Sequence, residues 1–148
     1  MRCRARALTT ALRGRGCLLD PPRARRLAIG LGALRALIGI TALAVPTVPA
    51  APWVGSDEAK RPAVRLFART IGGRDLALGL GAVMAARYDA PLRGWVEAGA
   101  LADAGDTAAT LLGFGELPRR TRWLVLGLTV GAAVAGAVLA PAVDRATR

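Results

Sequence analysis

The sequence predicts an all-α fold, a four-transmembrane-helix bundle with a basic, disordered N-terminal arm, and three observations predict it. Of 148 residues, 53% are hydrophobic, and the mean hydropathy is +0.39, too apolar for an ordinary soluble domain of this length. The apolar residues gather into four stretches, 27–45, 66–88, 92–114 and 123–143, each about long enough to cross a bilayer. All six aromatics, Trp53, Phe67, Tyr88, Trp95, Phe114 and Trp123, fall at or near the end of a stretch, as residues anchored at a membrane surface do.

The arm, residues 1–26, holds eight of the 21 Lys and Arg residues and a single acid, Asp20. The formal net charge of +11 therefore resembles that of a nucleic-acid binder only until the charges are placed. Beyond the arm, 13 bases against nine acids leave +4, with the arginines concentrated at the ends of apolar stretches. That distribution fits a membrane protein whose arm meets anionic lipid, and it argues against nucleic acid as a partner. Gly14, Gly16, Pro21 and Pro22 interrupt the arm, which has too little apolar surface to fold alone. Cys3 and Cys17 lack the spacing of a metal or redox pair, and the chain has no histidine, which excludes histidine metal sites and histidine acid–base catalysis. No cofactor motif is present.

Leu27 to Val45 is the first expected span, with Arg35 as its only charge; Pro46, Pro49 and Pro52 end it, and Trp53 follows at the interface. A signal peptide cut after Ala50 is the competing reading, opposed by a 26-residue basic lead and by Arg35 inside the apolar core. Asp57, Glu58, Lys60 and Arg61 make a polar connection, and Pro62 suits the start of the next helix. The second span, Leu66 to Tyr88, carries Arg74 and Asp75 near its middle; Asp75, Gly79, Ala82 and Ala86 form one narrow stripe along it, which lets a neighbouring helix approach closely. After the turn Asp89-Ala90-Pro91, the third span, Leu92 to Phe114, gathers Trp95, Gly99, Asp103, Asp106 and Thr110 on one side. Gly115 to Arg122 is a short basic loop. The fourth span, Trp123 to Val143, has no charge, and Gly127, Gly131 and Ala135 repeat a small residue every fourth position. Residues 144–148 form the C-terminal tail.

A charge near a membrane centre survives by facing other helices, so Arg35, Arg74, Asp75, Asp103 and Asp106 are the candidate site, a buried charge network. At 1.5 Å per residue, Arg35 and Asp103 come to roughly 12 and 14 Å from the inner edge, and Arg74, Asp75 and Asp106 to roughly 17 to 18 Å. Opposite charges thus share levels: Arg35 can meet Asp103, while Arg74, the expected keystone, can meet Asp106 or Asp75. Two cations face three anions, and the surplus carboxylate is either protonated or balanced by a cation.

Enzyme templates fail on this sequence. Asp103 and Asp106 have the spacing that opens a membrane phosphotransferase metal site, but the Ala-Arg and second aspartate pair do not follow. In Gly73-Arg74-Asp75, arginine replaces the small residue that intramembrane aspartyl proteolysis requires. The expectation is a structural or partner-binding membrane component rather than an enzyme, with the lipid bilayer and a second copy or another membrane protein as partners. The alternative is a small oligomeric proton- or ion-coupled carrier using the buried carboxylates.

Gly72, Arg74, Asp75, Leu78 and Gly79, followed by Asp103 and Asp106, give the chain a resemblance to a family of small bacterial four-span membrane proteins known as a domain of unknown function, with a G-x-R-D-x-x-L-G motif in the second span. The likeness covers about Arg26 to Ala140 and leaves out the arm. It implies an integral membrane protein of about four helices, and supplies no activity, substrate or cofactor. Counting Lys and Arg, 12 fall on the side of the termini and six on the other, so the expected location is a bacterial cytoplasmic membrane with both termini in the cytoplasm.

Overall fold

A computed structural model of the protein describes residues 20–143; the arm before Asp20 and the tail after Val143 lie outside the described residues. The described chain is all-helical: α1 (Pro21–Ala44), α2 (Thr47–Val54), a single 3-10 turn (Glu58–Lys60), α3 (Pro62–Arg87), α4 (Arg93–Leu112) and α5 (Arg122–Val143). Proline opens α1 and α3, where the missing N–H costs no hydrogen bond and φ is already helical. The first helix starts at Pro21, so residues 21–26, expected in the arm, are its first turns. Pro46 stops it, and the last backbone bond runs from the Val45 N–H to the Thr41 carbonyl at 2.7 Å. The proline-rich stretch after it, expected only as an ending, winds into α2 with Pro52 inside, and Gly55, at φ 89°, turns the chain out of that helix.

The helices pack as two pairs, α1 on α3 and α4 on α5, with α3 and α4 meeting sparsely. The first seam is made of backbone. A Cβ built on Gly39 would lie 2.6 Å from the Gly72 carbonyl oxygen and 2.8 Å from the Leu76 Cα, and one on Gly32 would lie 2.9 Å from the Ala82 Cβ. Gly32 thus faces Gly79 and Ala82, while Gly39 faces Gly72, the register of two antiparallel helices held together by close approach. In the second pair Gly136 packs on Ala100, whose Cβ would lie 2.8 Å from an added side chain. At the end that carries both described termini, Ala24, Ala28, Ala82, Ala85, Leu92, Val96, Leu139 and Val143 join all four long helices in one small-residue core.

The expected four spans are not what this structure supports. Two helices, Pro22–Ala44 and Arg122–Val143, are long and apolar enough to cross a membrane. Helices α3 and α4 are 26 and 20 residues long, so length is not the obstacle. Charge is: every 18-residue stretch of either helix contains at least three charged residues. In α3, Arg65, Arg69 and Arg87 add to Arg74 and Asp75; in α4, Arg93 and Glu97 add to Asp103 and Asp106. The expected spans set most of the flanking charges at the membrane surface, and what remains between those charges is too short and too charged to make an apolar span.

Candidate functional site

Antiparallel register decides what Arg35 meets. Lying between Gly32 and Gly39 on α1, it comes opposite Asp75, between Gly72 and Gly79 on α3, and the close backbone approach brings the two side chains together. The Arg35 Nη1 donates to Asp75 Oδ1 at 2.9 Å. Its Nη2 donates to Asp103 Oδ2 of α4, and also reaches the Gly99 carbonyl at 3.5 Å. A single guanidinium therefore ties α1, α3 and α4.

Arg74 extends the chain of charges. Its Nη1 and Nη2 donate to the two oxygens of Asp106 at 3.0 and 2.7 Å, the parallel two-point geometry that suits guanidinium and carboxylate. The same side chain donates from Nε and Nη2 to Asp75 Oδ1 at 3.3 and 3.2 Å. Asp75 Oδ1 thus accepts from both arginines, and the five side chains form one alternating line, Asp103, Arg35, Asp75, Arg74, Asp106. The line grades from inside outward: the Asp103, Arg35 and Asp75 side chains are 10, 11 and 12% exposed, and those of Arg74 and Asp106 both 34%. On α4 the Thr107 and Thr110 hydroxyls donate to the carbonyls of Asp103 and Asp106, four residues back, at 2.8 and 2.6 Å.

All five candidate charges are in this line, and Arg35 meets Asp75 as well as Asp103, a contact that depth alone does not reveal. The deepest guanidinium is Arg35; the expected keystone, Arg74, lies nearer the surface. Of the candidate packing residues, Gly79 and Ala82 lie in the seam with α1, and Ala86 borders the core. Gly127 and Gly131 face outward, with nothing in the described chain within 4 Å of an added Cβ, and Ala135 is partly exposed. Gly136, one position on, makes the contact with α4 instead.

Three further contacts escaped the sequence reading. Arg25 donates from Nη2 to the Ala86 carbonyl at 2.8 Å and to Asp89 Oδ1 at 2.9 Å, fastening the start of α1 to the end of α3. The Trp95 ring lies on Gly81, where any side chain would strike it. Thr121 donates its hydroxyl to the Pro52 carbonyl at 2.6 Å, joining α2 to the start of α5. Gly32, Ala36 and Gly39 form a small-residue stripe that the sequence expectations did not single out, and Arg25 sat in a segment read as arm.

Between α1, α3 and α4 a shallow crevice reaches the site; Arg35, Gly99 and Trp95 line it together with Leu31, Leu78 and Val96. Among the described residues no group of three or more Cys, Asp or Glu side chains is placed to hold a metal ion. The line of charges offers guanidiniums already satisfied by carboxylates, which suits fixing helices in register more than polarising a substrate. No known protein family, curated protein or solved structure matches this chain.

Proposed function

We propose that this chain is an integral membrane protein, held in the bilayer by α1 and α5, that serves as a structural or partner-binding component rather than as an enzyme. What carries the reading is an inverted distribution of polarity. Leu34, Leu37 and Ile40 of α1, and Leu124, Leu128, Val134 and Val138 of α5, are each more than half exposed, while Asp75 and Asp103 are buried. In water such an exterior is a large apolar surface calling for a cover. In a bilayer, acyl chains cover it, and the ions turn inward toward one another. A second copy or another membrane protein, packing on part of the same exterior, is the proposed partner.

The finer location follows from charge and resemblance. The arm, with its eight basic residues, belongs on the cytoplasmic face against anionic lipid. A bacterial cytoplasmic membrane is proposed on the resemblance of Gly72-x-Arg74-Asp75 to the motif of small bacterial membrane proteins alone. Reporter fusions after Ala50 and Arg148 test the arrangement: the first is expected outside the cytoplasm and the second within it. Release of the protein from membranes by alkaline carbonate overturns the membrane reading, and matching answers from the two fusions overturn the arrangement.

A further inference from the structure

Two guanidiniums and three carboxyls make up the line of charges, and among the described residues the helices around it bring no further cation to it. Between Arg26 and Val45, α1 offers only Arg35, which the line already uses. On α3, Arg69 is turned to the Leu43 carbonyl at 3.2 Å, and Arg65 and Arg87 lie toward the ends of the helix. On α4, Glu97 pairs with Arg93 at 2.6 Å in the first turns. From Trp123 to Val143, α5 has no charged residue. With every carboxyl ionised the line would carry one uncompensated negative charge, which is costliest at its buried end, and a carboxyl placed there takes up a proton instead.

We propose that the network holds one exchangeable proton and that Asp103 carries it. Contact geometry separates the three carboxyls. Asp106 offers both oxygens to Arg74, and Asp75 receives both guanidiniums on one oxygen, so neutralising either would strip charge from a pair that uses it. Asp103 meets one guanidinium, through one oxygen, and its side chain is the least exposed of the five. A proton on Asp103 leaves Arg35 with Asp75 and Arg74 with Asp106, two neutral pairs. The line opens to solvent at its Arg74 and Asp106 end, each one-third exposed, and the carboxylates and guanidiniums between there and Asp103 are in hydrogen-bond contact. Protonation transfers H⁺ from water to a carboxylate oxygen and alters no other bond. The inference rests on the membrane reading, which keeps solvent from the outer faces of α1 and α5.

Infrared difference spectroscopy on the full chain in nanodiscs tests it. At about pH 7 a protonated-carboxyl stretch is expected, moving down on exchange into D2O. Asp103→Glu is expected to shift that band and Asp106→Glu to leave it in place. Asp106→Asn is expected to abolish it, because two carboxylates then balance two guanidiniums. A band that moves with Asp106→Glu and not with Asp103→Glu overturns the assignment to Asp103. No band in wild-type protein that carbonate leaves in the membrane overturns the proposal while sparing the membrane reading; a band in protein that carbonate releases does the reverse.

Discussion

Helix α3 is held on one side by α1 through Gly39, Gly72 and Gly79, where any side chain would strike backbone, and on the other by α4 through Arg74 and Asp106 with few other contacts. The first seam depends on the absence of atoms, so its tolerance is steric and local. The second depends on charge balance, so damage at one residue can be undone at another. Arg35 belongs to both: the glycine seam sets its position against Asp75, and it reaches across to Asp103 in the charged seam.

The largest effect is therefore expected at Arg35. Arg35→Ala leaves Asp75 and Asp103 without their shared partner, a loss of about 3 to 5 kcal/mol for breaking a buried pair. Melting in mild detergent is expected to recover most of that in Arg35→Ala/Asp75→Asn, which restores neutrality with Asp103 protonated. The same truncation at Arg74, one-third exposed, is expected to cost less. Additive damage in the double variant would mean that the charged seam does not work by balance.

Gly39→Leu is expected to cost about 2 to 3 kcal/mol, the upper range for overpacking. Because the clash is with the backbone of Gly72 and Leu76, none of the carboxylate substitutions is expected to relieve it. Recovery by Asp75→Asn would show that the two seams are one mechanism. The smallest effect is expected from Gly131→Leu, within about 0.5 kcal/mol for the monomer, since nothing in the described chain lies near an added side chain. A large loss there, on the same melting measurement, would place an unseen contact on the outer face of α5.

Local sequence determined the four long helices to within a few residues, because Pro46, Pro62 and the turn at Asp89 punctuate apolar stretches by backbone chemistry, but it gave neither α2 nor the first turns of α1. It also supplied the five charges of the candidate site, because an ionised residue inside an apolar helix is conspicuous. Tertiary structure decided which of them touch. Asp75 accepts from both arginines because Gly39 and Gly72 let α1 and α3 approach in one antiparallel register, a fact of two helices that neither contains alone. It decided equally that Gly136 and not Gly131 faces α4, since a glycine stripe has no side chain to mark which face turns inward. The number of spans was misread for a related reason. Pairing removes the penalty for central charges such as Arg74, but the flanking Arg65, Arg69, Arg93 and Glu97 keep α3 and α4 from matching α1 and α5, which alone among the described helices are long and apolar enough to cross a membrane.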